Sequence, residues 1–169
     1  MADVVGGVAL VGAVVAMGMF SGLFYGFAVA VMPGLRGVGD GAFVEVMQRI
    51  NRAILNGWFF AVFFGAPVLM LVAAGVHLEA GRWGVVVWVA AALALYGVAL
   101  VGTMAVNVPL NTALERAGAV GRMADPGAVR RAFEAPWVRW NAVRALASTG
   151  SLGCLAWALV LYGGSAAAG

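Results

Sequence analysis

Lysine is absent from this chain, and cysteine and histidine occur once each, as Cys154 and His77. Without lysine no Schiff base forms, and a lone cysteine has no disulfide partner. A metal centre built on histidine would want at least two good ligands, so none is expected. Charge of either sign is also scarce: only 10% of the 169 residues are charged, too few to clothe a soluble globule. The net +3 comes entirely from arginine. These arginines stand beside acidic residues in the loops, so they serve membrane topology and give no sign of nucleic-acid binding.

What the chain has in abundance is apolar surface, with 64% hydrophobic residues and a mean hydropathy of +1.00. Four long apolar runs cover about 4–32, 54–76, 83–106 and 141–162. Each has the roughly 20 residues that a helix needs to cross a hydrocarbon core of about 30 Å. The expectation is a single all-α domain over 1–169, a bundle of four transmembrane helices with antiparallel neighbours. Ala28-Val-Ala30 superficially resembles a signal-peptidase site. The apolar stretch before it is too long for a signal peptide, however, and its flank carries Asp3 in place of a basic residue. Arg36, Arg49 and Arg52 fall between the first two runs, Arg116, Arg122, Arg130, Arg131 and Arg139 between the last two, and only Arg82 between the middle pair. The positive-inside rule then predicts a multi-pass protein of the cell membrane, with both long loops cytoplasmic and both termini outside.

Along the chain, Gly18, Gly22 and Gly26 recur every fourth residue, a groove suited to close approach by another helix or to a flat ligand, with Ser21 and Tyr25 beside it. Met32-Pro33-Gly34 should end the first span. A helix around Phe43 should then lead straight into the second span, placing Gln48, Asn51, Arg52 and Leu55 on one side, with a Glu45–Arg49 pair and Asn56 in the next turn. Pro67 predicts a kink, and His77 falls in the short outer connection. In the third span Thr103, Asn107, Asn111 and Glu115 recur every fourth residue, and Pro109 should break the backbone ladder where asparagine side chains can satisfy it. Asp125-Pro126 reads as an N-cap and first helical residue, opening a short amphipathic helix to about Ala135, after which Pro136 resets the chain. Arg130, Arg131 and Arg139 would face anionic lipid. Finally Trp137, Trp140, Asn141, Arg144, Ser148 and Ser151 share one face of the last span. Both halves follow the order span, proline-containing end, basic loop, then an asparagine leading into the next span, as an old duplication would leave them.

All five asparagines and the single glutamine fall at the cytoplasmic ends of spans two, three and four. Such amides either glue helices together or line one opening. Arg144 either snorkels to water or forms a cationic floor for a pocket.

Met47-Gln48-x-Ile50-Asn51, Asn107-x-Pro109-x-Asn111 and Trp137-x-x-Trp140-Asn141-x-x-Arg144 together resemble the anthrone oxygenase-like integral membrane proteins. One departure is Gly57, where proline is expected after Asn56. The resemblance implies oxidation of an anthrone to an anthraquinone by molecular oxygen, without a cofactor. On that reading Asn107, Asn111, Asn141 and Arg144 would be catalytic, stabilising a developing oxyanion. Gln48, Asn51, Asn56, Trp137, Trp140 and Tyr25 would bind a flat lipophilic phenol or anthrone, and Glu45 and Glu115 are the nearest carboxylates to accept a proton. The other reading is a non-enzymatic membrane protein that binds a quinone, a lipid or a partner subunit, including another copy of itself, at the same opening.

Overall fold

The computed structural model describes residues 1–167 and contains five long helices. Helix α1 spans Ala2–Leu35, being α-helical over Ala2–Gly26 and Met32–Leu35 with a π turn at Phe27–Val31. Helix α2 is Asp40–Ala53 and α3 is Gly57–Glu79. Helix α4 spans Trp83–Arg116 with a π turn at Thr103–Asn107, and α5 is Pro126–Ala167. Four of these, all but α2, are long and apolar enough to cross a membrane.

The four spans form a ring in which α1 packs on α3 and α5, and α4 packs on the same two. First and last spans run antiparallel, since Tyr162 donates to the Asp3 carbonyl at one end while Asn141 donates to the Phe24 carbonyl towards the other. The core of the bundle is filled by Leu10, Met17, Phe20, Phe63, Met70, Val89, Tyr96 and Leu155. A second apolar cluster, around Phe43, Met47, Leu114, Phe133 and Trp137, seats α2 across the arginine-rich end. Helix α2 can lie there because Phe43, Val44, Met47, Gln48 and Asn51 form its one buried stripe.

Prolines shape the spans differently from expectation. Pro33 does not end α1, and Pro109 does not break α4; each stands two residues after a π turn. A proline ring clashes with the carbonyl four residues earlier and offers it no N–H, and that carbonyl belongs here to Val29 or Ala105, inside the π turn. Widening the turn absorbs the conflict and lets the helix continue. Pro67 sits inside α3 and leaves the Phe63 carbonyl without its helical donor; the buried Tyr96 hydroxyl of α4 donates to it instead. Pro136 resets nothing, and no separate short helix precedes it: α5 is one helix from Pro126. Asp125 does cap it, accepting from the Ala128 N–H at 2.9 Å.

Two further expectations change. The chain does not run straight from α2 into α3 but breaks at Ile54–Asn56. The glycine groove of α1 has no helix in it: a Cβ on Gly18, Gly22 or Gly26 would meet nothing within 4 Å. Tight helix contact occurs instead near the start of α1, where a Cβ on Gly6 would lie 2.5 Å from Cε1 of the fully buried His77.

Arg130 does not face lipid. Its guanidinium pairs with Glu134 at 2.7 Å and Asp40 at 3.1 Å and donates to the Val38 carbonyl at 2.8 Å and those of Leu35 and Arg36 at 3.3 Å. A cation is favourable there because the end of α1 carries unsatisfied carbonyls and the negative pole of the helix.

Gly6→Ala should therefore cost about 1–3 kcal/mol, as overpacking does, while Gly18→Ala and Gly22→Ala are neutral or slightly stabilising, read by thermal unfolding in detergent. Asp125 is held below its ordinary carboxylate range by the Ala128 N–H first and by Arg131 as well. Its contribution is present above the unfolded-state pKa and lost as pH falls through the lowered folded value. The unfolding midpoint of Asp125→Ala should thus trail that of the parent at neutral pH and converge with it in acid.

Candidate functional site

The break between α2 and α3 and the π turn of α4 border a cavity of about 290 Å³. That lies at the small end of the range of about 300–1,000 Å³ usual for ligand sites. Its walls are largely aromatic and aliphatic: Leu23, Phe24 and Phe27 from α1, Ile50 from α2, Phe59 and Phe63 from α3. Its polar residues are Asn51, Thr103, Asn107, Asn111, Asn141 and Arg144, with no carboxylate or histidine among the lining. The exposed lining residues, Leu55, Phe60, Phe64, Met104 and Val108, belong to α3, α4 and the α2–α3 link. The mouth therefore lies between α3 and α4 and is apolar.

Arg144 is 5% exposed and forms the floor. Its guanidinium sits 4.3 Å from the Phe24 ring centroid and 5.4 Å from that of Trp137, and donates to Asn141 Oδ1 at 3.0 Å. Its Nε has no partner, and among the described residues no carboxylate pairs with it. Snorkelling is thus not what this side chain does. Asn141 works as a bracket, giving its N–H to the Phe24 carbonyl at 3.0 Å and its oxygen to Arg144.

Asn111 accepts from Trp137 Nε1 at 2.9 Å, which fixes the indole that flanks the guanidinium. Asn107, 1% exposed, directs its amino group at the Trp137 carbonyl over 3.5 Å. A carbonyl only accepts, so Asn107 Oδ1 is the free end, and it is unpaired. Asn51 Nδ2 is unpaired as well. Three residues of the lining thus carry a buried polar atom without a partner: two donors, Arg144 Nε and Asn51 Nδ2, and one acceptor, Asn107 Oδ1. Buried polar groups are nearly always satisfied, so small side-chain rotations toward a ligand with both an acceptor and a donor would pair them.

Four residues named from the sequence lie elsewhere. Gln48 ties α2 to the end of α4, donating to the carbonyls of Leu114 at 2.8 Å and of Gly118 at 3.0 Å, the latter in the left-handed turn with φ +82°. Asn56 is the N-cap of α3, accepting from the Phe59 N–H at 3.1 Å and donating to the Ala53 carbonyl at 2.8 Å. Trp140 lies outside the cavity against Gly102, whose added Cβ would meet its ring at 3.0 Å. Tyr25 is 58% exposed on the outer surface of α1. Nor do the two carboxylates reach the site, for Glu45 pairs with Arg49 at 2.7 Å and Glu115 with Arg52 at 2.8 Å. The aromatic wall of Phe24, Phe27, Phe59 and Phe63 was not foreseen. Its signal was the run Trp58-Phe59-Phe60-x-x-Phe63-Phe64, which stands at the same level as the amides.

The sequence model of the anthrone oxygenase family matches residues 58–154, more than half of the chain. No curated protein and no solved structure matches it. The matched region contains α3, α4 and the Trp137–Arg144 segment, and so includes most of the cavity's polar side chains.

Asn111→Leu should free the indole of Trp137, read as a red-shifted, more readily quenched tryptophan emission, and should cost about 1–3 kcal/mol for the donor left unpaired. Asn56→Ala should cost about 1 kcal/mol of stability as N-cap losses do without altering that emission.

Proposed function

Because the chain belongs to the anthrone oxygenase family, we propose that the cavity binds the anion of a flat, lipophilic phenol or anthrone and that the protein oxygenates it with O₂, using no further cofactor. The observation that carries this reading is the buried Arg144 guanidinium, which no carboxylate neutralises among the described residues. An isolated charge is costly in an apolar setting, and an anionic ligand offsets that cost. The same contact favours the deprotonated substrate, so the lack of a base in the lining is less of an obstacle. Phe24, Phe63 and Trp137 offer flat surfaces for the rings.

The chemistry then belongs mostly to the substrate. The carbanion passes one electron to O₂, and the radical pair recombines to a peroxide at the former methylene carbon. Loss of water leaves the quinone, so one anthrone and one O₂ give one anthraquinone and one H₂O. Arg144, oriented by Asn141, holds the oxygen that carries the negative charge, and Asn51, whose Nδ2 has no partner, would turn to donate a second hydrogen bond. The apolar mouth between α3 and α4 suits a substrate delivered from the bilayer. On the positive-inside rule the arginine-rich end, and with it the cavity, lies at the cytoplasmic side, with both termini outside.

A second reading keeps the ligand and drops the reaction: with no histidine or carboxylate in the lining, the cavity also suits a protein that only holds a quinone or a lipid. Oxygen uptake by the purified protein with added anthrone separates the two. The parent should consume one O₂ per anthrone. Arg144→Met should lower kcat/KM by about 100-fold or more, the scale of losing one oxyanion donor, with Arg144→Lys intermediate and circular dichroism unchanged. Full activity in a folded Arg144→Met protein would refute the oxyanion role, and ligand binding without oxygen uptake would leave the binding protein.

A further inference from the structure

A second, shallow cavity of about 490 Å³ lies open on the surface along one face of α5, bordered by Arg36 just after α1, and shares no residue with the first. Arg131, Ala135 and Arg139 form one strip of α5 along its wall, Arg36 comes from the turn after α1, and Glu134 and Val138 complete it. Glu134 is taken by Arg130 at 2.7 Å. Arg131 reaches only Asp125, at 3.4 Å between exposed side chains. Among the described residues no carboxylate pairs with Arg36 or Arg139. Three guanidinium groups therefore share one cavity with no free counter-charge in its wall.

The backbone on both sides of the opening is fixed. Arg130 donates to the carbonyls of Leu35, Arg36 and Val38, so the backbone that carries Arg36 is fastened to α5 before any ligand arrives. The level is also defined: the first span ends at Leu35, and Trp140, next to Arg139, is a partly exposed aromatic of the kind that settles at a bilayer interface. We propose that this cavity holds the phosphate headgroup of an anionic membrane lipid. A phosphodiester accepts forked bonds from guanidinium groups, and Ala135 and Val138 give its glycerol an apolar bed. Basic pockets between spans at the cytoplasmic interface suit such headgroups, whereas a choline headgroup would bring its own cation among the arginines.

The test is native mass spectrometry of the full chain in detergent with equal amounts of dioleoylphosphatidylglycerol and dioleoylphosphatidylcholine. The parent should retain phosphatidylglycerol preferentially. The double variant Arg36→Ala/Arg139→Ala should weaken that retention by about tenfold or more, given roughly fivefold for each basic residue. Arg116→Ala/Arg122→Ala, outside the cavity, should leave it unchanged. Ala135→Glu, at an exposed position, should reproduce the loss by supplying the wall with a carboxylate, which guards against a double variant that merely misfolds. Equal retention of both lipids by the parent, equal loss in both double variants, or undiminished retention in a folded Ala135→Glu protein would overturn the site. Displacement of the lipid by inorganic phosphate as readily as by more phosphatidylglycerol would assign the cavity to free phosphate and overturn the lipid reading.

Discussion

A guanidinium group buried among aromatic rings, with no carboxylate beside it, is the constraint around which this bundle is arranged. Arg144 would be expensive to bury without compensation. The protein surrounds it with weak partners: the faces of Phe24 and Trp137, and the oxygen of an asparagine. Each of those partners is itself held. Asn141 is anchored on the Phe24 carbonyl and Trp137 on Asn111, so α1, α4 and α5 are all committed to presenting one cation. A carboxylate in the same place would make a stronger pair, and its absence leaves the charge without a counter-ion among the described residues.

The backbone around this site is kept open by prolines that the helices accommodate without stopping. Both π turns lie just before a proline, and both supply lining: Phe27 from the first, Thr103, Met104 and Asn107 from the second. A regular α-turn would have met the proline ring with a carbonyl. The wider turn avoids the clash and changes the side on which later residues emerge, as π turns at functional sites commonly do. Pro67 is handled differently, by a hydroxyl from the neighbouring span, and the bundle core closes tightly there.

Much of the fold was legible because a membrane leaves so few choices. Four apolar runs must become four helices, and the short connection around Gly81 must be a tight turn, which it is, with φ +68°. The convergence of Asn51, Asn107, Asn111, Trp137, Asn141 and Arg144 on one cavity followed from their shared level and helical spacing. What the spacing could not show was which amides serve the backbone. Gln48 and Asn56 satisfy helix ends, a local competition that depends on where each helix stops, and helix ends are the part of the pattern set by tertiary packing. Trp140 was misplaced for a related reason: it shares a face with Asn141 only loosely, and Gly102 gives its ring a seat outside. Pro136 misled because a proline near the start of a long helix costs one hydrogen bond, which is tolerable when the vacated carbonyl belongs to an exposed residue such as Ala132.

Short stretches of the two halves can be laid side by side in sequence, and the break at Ile54–Asn56 is where their structures differ. Pro33 corresponds to Pro109 and each follows its own π turn; Phe43 corresponds to Phe133 and the two rings touch; Asn51 corresponds to Asn141. Continuing in step, Ile54 corresponds to Arg144, and both line the cavity. Where the first half halts its helix and turns aside, the second runs on and sets its cation opposite the space so vacated. The two asparagines therefore meet the chamber on different terms: the Asn141 amide is held by the carbonyl of Phe24, whereas Asn51 Nδ2, beside the break, has no partner.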